Sequence, residues 1–275
     1  MPFLEHDGIQ FYYELSGEGP PLVLCHGLTG NLENPKELFG SIPGYRQLVW
    51  DARGHGKTRP VGPARHFNFE VFARDLAALL DHLGIEEAVA GGVSMGAAVS
   101  AKFALLYPER VRGLLLIRPA WLTEPLPEGL RLYPVAADYI GRFGPEKGAQ
   151  SFRALPEYQS MAAQDPDAAA NLLAQFFEDS ALDRRCRLEA IPNNAPIRNW
   201  EEVAALRMPV LVVGNEPDLV HPLAYARAWA EQLPRARFVQ VPPKSVDVEL
   251  YAQSVRAHVV EFLASLDVSK ENVCL

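Results

Sequence analysis

A serine between two glycines constrains the fold of this chain more than any other feature. The residues 88–91 before it are small and apolar, which predicts a short buried strand, and a helix is predicted to begin at Ala97. Gly92 and Gly96 flank Ser94 at the positions where side chains would clash in a sharp strand-to-helix turn. The bare pattern also arises by chance, but a strand before it and a helix after it favour a nucleophile elbow. Ser94 is then expected at the carboxyl edge of a sheet.

Short apolar strands alternate with helical segments along much of the remaining chain. Strands are predicted at residues 3–5, 9–15, 21–25, 45–51, 111–117, 209–214 and 237–241, and helices at 68–83, 223–233 and 251–266. The first two strands read as a hairpin at the sheet edge. Continuous apolar strands between helices favour an α/β fold with a mostly parallel sheet covered by helices on both faces. Active sites in such sheets lie at the carboxyl ends of the strands.

The alternation stops between residues 119 and 207. This segment contains several helical stretches and no convincing buried strand, and it is too long for a simple connection. We therefore predict an α/β core from residues 1–118 and 208–275, with a helical cap from 119–207 over the strand ends. Most of the aromatic residues in the cap are expected to pack in its core, and a minority to line a pocket. They are Trp121, Tyr133, Tyr139, Phe143, Phe152, Phe176, Phe177 and Trp200.

Composition limits the class of partner. The chain has 275 residues, of which 48% are apolar, and this suits one large domain with an insertion. Its formal net charge of -8 argues against nucleic acid or an anionic membrane as a partner. We found no apolar run of about twenty residues and no N-terminal targeting signal, so we expect a cytoplasmic protein with a small-molecule partner. The three cysteines, Cys25, Cys186 and Cys274, are expected to be reduced thiols.

Four segments together resemble the α/β-hydrolase fold family. They are the His-Gly pair at 26–27, the Asp-x-Arg-Gly-His-Gly turn at 51–56, the elbow at 92–96 and a strand end with an aspartate at 214–218, in the family's order. The resemblance implies a serine nucleophile, an acid after a late strand, a histidine after the last strand and an oxyanion hole of two backbone N–H groups. It implies no cofactor and no metal.

Position by position, the resemblance implies roles for four residues. Ser94 corresponds to the nucleophile and Asp218 to the acid. The backbone N–H groups of Leu28 and Met95 correspond to the oxyanion donors, which are commonly worth about 2.7–4 kcal/mol each in such sites. Asp218 has an alternative role as a turn aspartate that caps the next helix.

The catalytic base is the point at which the chain departs from the family. Val246 occupies the position expected for the histidine, and valine cannot accept a proton. A serine without a base is a poor nucleophile, because its hydroxyl stays protonated near neutral pH. His221 lies three residues after Asp218 on a loop expected to border the pocket, so it is the candidate base or substrate contact. The alternative is a loop histidine that caps the helix near Pro222.

Three other histidines are expected to have structural and not catalytic roles. His26 precedes a predicted oxyanion donor, and His55 lies within the turn at 51–56. His258 falls on the predicted buried side of the last helix, so we expect it to pack in the core.

Arg118 follows the strand at 111–117, at the same edge of the sheet as Ser94. A guanidinium that reaches the pocket could bind a substrate carboxylate or phosphate through two hydrogen bonds. The alternative is a salt bridge that fixes the cap to the core through a residue such as Glu124.

Two functions from different classes are compatible with these residues. The favoured one is a hydrolase that acts on a small ester, thioester or amide through an acyl-Ser94 intermediate, with His221 or another group as an atypical base. The other is a binding or signalling protein that keeps the fold and the pocket but has lost turnover with the histidine.

Overall fold

The structure is a computed structural model that describes residues 2–271, with side chains described as far as residue 266. The strands are β1 (Phe3–His6), β2 (Ile9–Ser16), β3 (Pro21–Cys25), β4 (Arg46–Trp50), β5 (Ala88–Val93), β6 (Val111–Ile117), β7 (Val210–Gly214) and β8 (Ala236–Gln240). The α-helices are α1 (Glu33–Phe39), α2 (Phe69–His82), α3 (Met95–Leu106), α4 (Leu132–Arg153), α5 (Pro156–Gln164), α6 (Pro166–Ala174), α7 (Ala181–Ala190), α8 (Trp200–Ala204), α9 (Leu223–Gln232) and α10 (Val248–Glu271). None of these helices combines the length and the apolar character needed to span a bilayer.

All eight strands form one sheet in the order β1-β2-β4-β3-β5-β6-β7-β8. The β1–β2 and β2–β4 pairs are antiparallel, and the pairs from β4 to β8 are parallel. The predicted α/β class with a mostly parallel sheet is therefore confirmed. The parallel order brings the carboxyl ends of β3, β5, β6, β7 and β8 to one edge.

The inner strands β3, β5, β6 and β7 are apolar on both sides because the sheet separates two cores. Leu22 and Leu24 of β3 enter a core closed by α1 and α10, whereas Val23 enters the core formed with α2, α3 and α9. Successive residues of a strand point to opposite faces, so both faces must be apolar when helices cover both. This double burial explains why apolar and polar residues do not alternate along these inner strands.

Residues 119–207 contribute helices α4 to α8 and no strand. Two buried arginines of α7 join this segment to the turn at 51–56. Arg187 Nη1 donates to the Gly54 carbonyl at 3.1 Å, and Arg184 Nη2 donates to the Gly56 carbonyl at 2.6 Å. Both guanidinium groups also pair with Glu178. Buried charges are stable only when they are paired and hydrogen-bonded, so these contacts fix α7 firmly against the turn.

Two details of the sequence prediction were wrong. Helix α3 begins at Met95, immediately after Ser94, and not at Ala97. His258 is not packed in the core: its side chain is 31% exposed and its Nδ1 lies 3.5 Å from Glu261. The core stripe of α10 passes through Val255, Val259 and Phe262, which leaves position 258 at the border with solvent. Cys274 lies outside the described residues.

Candidate active site

Ser94 occupies a strained turn between β5 and α3. Its backbone has φ 56° and ψ −113°, a conformation that costs a non-glycine residue about 1–3 kcal/mol. Its N–H donates to the Ile117 carbonyl at 3.0 Å, which ties the turn to β6. A Cβ atom added at Gly92 or Gly96 would overlap the Cys25 carbonyl oxygen, so β3 can pass this close only because both positions lack a side chain.

Two backbone N–H groups near Ser94 are free to donate. Met95 is the first residue of α3, where an N–H has no acceptor within the helix. The Leu28 N–H lies in the loop that follows β3. No hydrogen bond from either group is found within residues 2–271. The positive end of the α3 dipole adds to the field at this point, so the arrangement favours a developing negative charge.

His26 and His55 hold the loop that carries the Leu28 N–H. His26 Nε2 accepts from the Ala52 N–H at 3.0 Å, so its proton is on Nδ1, which donates to the carbonyl of the next residue at 2.7 Å. His55 Nε2 lies 2.9 Å from the Leu28 carbonyl oxygen. Burial lowers the pKa of both imidazoles. Because their nitrogens are engaged by the backbone, these rings position the loop.

The candidate site residues meet at a cavity of about 410 Å³ at the carboxyl edge of the sheet. Ser94, Arg118, Asp218 and His221 all line it, as does Leu28. They come from different strand ends, which the parallel sheet brings to one edge. Ser94 is only 8% exposed, so its hydroxyl is reached through the cavity.

Val246 does not line the cavity, and its side chain is 76% exposed. The residues of the same loop that do line it are Lys244 and Ser245. Position 246 therefore leaves no catalytic group beside Ser94.

Asp218 and His221 form a carboxylate–imidazole pair on the loop after β7. Asp218 Oδ1 lies 2.9 Å from His221 Nδ1, and it also accepts the His221 backbone N–H at 3.0 Å. Asp218 therefore accepts a backbone N–H within the turn, but it does not cap the next helix: α9 has Pro222 at its N-cap and no side-chain cap hydrogen bond. His221 Nε2 is buried and has no hydrogen-bond partner. Within the described residues, no hydrogen bond joins it to Ser94 Oγ.

Arg118 pairs with Asp218 and not with Glu124. Its Nε and Nη2 atoms lie 2.8 Å and 2.5 Å from Asp218 Oδ2, and its guanidinium carbon lies 5.7 Å from the centre of the Tyr251 ring. Arg118 therefore reaches the pocket as predicted, but its charge is largely balanced within the protein. The carboxylate divides its oxygens between arginine and histidine.

Arg118 also competes with Asp218 for His221. Its Nη2 lies 3.0 Å from His221 Nδ1, and arginine can only donate hydrogen bonds. With the proton on Nδ1, His221 donates to Asp218 and leaves Nε2 able to accept a proton. With the proton on Nε2, Nδ1 accepts from Arg118 and the ring cannot serve as a base at Nε2. The first tautomer is the one suited to catalysis.

The pKa values reflect this competition. Burial and the neighbouring Arg118 charge lower the pKa of His221, although Asp218 opposes the shift. Burial by itself would raise the pKa of Asp218, but His221 and Arg118 outweigh it and hold that pKa well below its ordinary value. Asp218 is thus a carboxylate throughout the physiological pH range, and His221 is neutral at neutral pH.

Sequence reasoning did not single out Lys244, which lines the cavity from the loop after β8. Burial and the Arg118 charge lower the pKa of its ammonium. Its place near the expected histidine position was the one available signal.

Comparison with known proteins identifies the family of this chain. The model of the alpha/beta hydrolase fold family matches residues 20–245. A relative from Pseudomonas syringae pv. syringae (strain B728a), named "Putative carbamate hydrolase RutD", is 32% identical over 237 residues, or 84% of this chain and 88% of that protein.

Two solved structures extend the comparison. A thermophilic esterase from Thermogutta terrifontis, with malate bound, matches with a TM-score of 0.70 and 26% identity over 95% of this chain and 97% of its own. The enol-lactonase from Burkholderia xenovorans LB400 matches with a TM-score of 0.74 over 96% of this chain and 100% of its own, but at 23% identity this bears on the fold alone. The similar proteins support a hydrolase function.

Proposed function

We propose, given that this chain belongs to the alpha/beta hydrolase fold family, that it hydrolyses a small ester, thioester or amide through a covalent acyl-Ser94 intermediate. The observation that carries this proposal is that the elbow serine and the Asp218–His221 pair line the same cavity. A nucleophile, a potential base and a carboxylate that orients the base are the parts that acyl transfer requires.

The acylation step uses these groups in order. Ser94 Oγ attacks the carbonyl carbon of the substrate while its proton passes to His221 Nε2. The Leu28 and Met95 N–H groups receive the negative charge that forms on the carbonyl oxygen. The tetrahedral intermediate then expels the leaving group, which takes the proton from the imidazolium. Water attacks the acyl-enzyme in the same way, and the products are the free acid and regenerated Ser94.

His221 is the base in this scheme, and its surroundings both help and oppose it. Asp218 orients Nδ1 and stabilises the imidazolium, as the acid does in a Ser-His-Asp triad. Arg118 destabilises the imidazolium because its charge lies 3.0 Å from Nδ1. Hydrogen bonds between nucleophile and base are often absent in ligand-free enzymes and form when substrate binds. Ser94 and His221 are expected to approach each other in that state.

Covalent labelling tests the proposal directly. The full chain is incubated with a fluorophosphonate, and the adduct is located by peptide mass spectrometry while ester turnover is followed in parallel. We expect one adduct per chain, on Ser94, with loss of turnover in proportion to labelling. A protein that turns over no ester and acquires no adduct on Ser94 would refute the hydrolase mechanism.

A non-catalytic binding protein is the second candidate. It is favoured by the missing Ser94–His221 hydrogen bond and by Val246 at the position of the family histidine. In that case small ligands bind the cavity with the same affinity before and after Ser94→Ala, and no ester is hydrolysed.

The pH dependence of turnover tests the role of Arg118. A base must be neutral to accept a proton, so kcat/KM is lost as the pH falls through the pKa of His221. Because Arg118 and burial lower that pKa, we expect activity to persist below the ordinary histidine pKa of about 6.5. Arg118→Met removes the charge and should move this acid limb to higher pH, whereas Arg118→Lys should move it less. An unchanged limb in Arg118→Met would exclude this effect of Arg118.

A further inference from the structure

One cationic side chain that lines the cavity forms no hydrogen bond and no ion pair with a described residue. Arg118, Lys244 and Arg256 are the cationic side chains that line it. Arg118 is paired with Asp218, and Arg256 Nε donates to the Leu38 carbonyl at 2.6 Å. Lys244 makes no hydrogen bond or ion pair with any residue from 2 to 271. Its ammonium therefore has room for a partner that the protein does not supply.

The acidic residues that line the cavity do not form an ion pair with Lys244. Asp165 uses its carboxylate to accept the Ala168 N–H at 3.0 Å and the Leu219 N–H at 3.3 Å. None of the lining acids lies within ion-pair distance of Lys244 in the described structure. Asp218 is engaged by Arg118 and His221. The other lining acids are exposed to water: Asp167, Glu37 and Glu249.

Two features make this unpaired charge costly. The ammonium is partly removed from water, and Arg118 is a like charge nearby; both effects lower the pKa of Lys244, although Asp167, Asp218 and Asp165 favour its charged form. A carboxylate bound at Lys244 would offset both. A surface lysine without a partner needs no explanation, but a lysine lining the cavity of the nucleophile does.

We propose that Lys244 is the binding residue for a substrate carboxylate, and that the preferred substrates are monoesters of short dicarboxylic acids. This inference rests on the proposed function, with Ser94 attacking the ester end while the free carboxylate lies at Lys244. A cavity of about 410 Å³ accommodates such a compound. Arg118, whose charge is already balanced by Asp218, is not the principal anion-binding group.

Matched esters test this assignment. The monomethyl esters of succinate, glutarate and adipate are compared with neutral esters in which an isopropyl group replaces the carboxylate, such as methyl 4-methylpentanoate, and acid release is titrated. We expect kcat/KM to favour at least one charged ester by about tenfold, the scale of a hydrogen bond to a charged group. That ratio should fall about tenfold in Lys244→Met and recover in Lys244→Arg. Lys147→Met, at an exposed position of α4, should leave it unchanged.

Equal losses for charged and neutral esters in Lys244→Met would overturn the assignment and point to Lys244 as a base. A wild-type protein with no preference in any pair would overturn it as well. Binding of the same esters to Ser94→Ala, measured by calorimetry, separates this inference from the proposed function. If the wild-type protein hydrolyses nothing, a charged ester that binds more tightly only when Lys244 is present still supports the site, and equal binding rejects it.

Discussion

Ser94→Ala is expected to lower kcat/KM for ester hydrolysis by roughly 10⁴–10⁶-fold, the range seen when the nucleophile of a serine hydrolase is removed. The reason is that every later step of the proposed mechanism passes through the acyl-enzyme, and no second nucleophile occupies an elbow among the described residues. Initial rates over a range of substrate concentrations, together with fluorophosphonate labelling, measure the effect. We expect the proposed oxyanion donors, the Leu28 and Met95 N–H groups, to leave a small residual rate.

The matched control is Ser151→Ala, which removes a hydroxyl from an exposed position of α4. It should retain full activity and full labelling. Denaturant unfolding of Ser94→Ala should give a free energy close to that of the parent, because alanine carries the same backbone strain at φ 56°. A loss of activity of less than tenfold, in a variant that is folded, would contradict the assignment of Ser94.

The elbow could be predicted from the sequence because its requirements are local. Gly92 and Gly96 are needed where β3 passes within van der Waals contact, and only one serine lies between them. The strands could be predicted for a related reason, since burial on two faces leaves continuous apolar runs. Helix α3 begins earlier than predicted because the turn consists of Ser94 alone.

The electrostatics of the site could not be predicted in the same way, because they depend on which strands are neighbours. Arg118 and Asp218 are a hundred residues apart and meet because β6 and β7 pair in parallel. The sequence alone left a substrate carboxylate or phosphate, or a residue such as Glu124, as partners of Arg118, and neither alternative named Asp218. The unpaired state of Lys244 depends likewise on where every lining acid lies.

The contacts of His221 could be predicted only in part. Its spacing from Asp218 suggested a contact, and the structure places the two side chains 2.9 Å apart. The competition of Arg118 and Asp218 for His221 Nδ1 has no signal in the sequence. In the proposed mechanism, the tautomer of His221 therefore decides whether Nε2 can accept the proton of Ser94.

His221→Ala should lower kcat/KM about 10²–10⁴-fold, the contribution typical of a positioned general base. The loss has a specific signature, because deleting the ring leaves a space beside Asp218 that a free imidazole can enter. Added imidazole should restore part of the activity of His221→Ala but none of that of His221→Gln, whose amide fills the space and cannot accept the proton. Rates at increasing imidazole concentration measure the rescue.

His221→Gln also distinguishes the role of His221 as a base from its structural role as a partner of Asp218. Its amide can still donate to Asp218, so the Asp218–Arg118 pair and the loop after β7 should keep their positions, and the free energy of unfolding should change little. His221→Gln could instead retain more than about a tenth of the wild-type activity. That loss would be smaller than the loss expected for a general base, so the proton of Ser94 would have to pass to another group. Lys244 is then the remaining titratable base that lines the cavity from the loop where the family carries its histidine. The ester selectivity of Lys244→Met distinguishes that outcome, because loss of a base lowers the turnover of neutral and charged esters together.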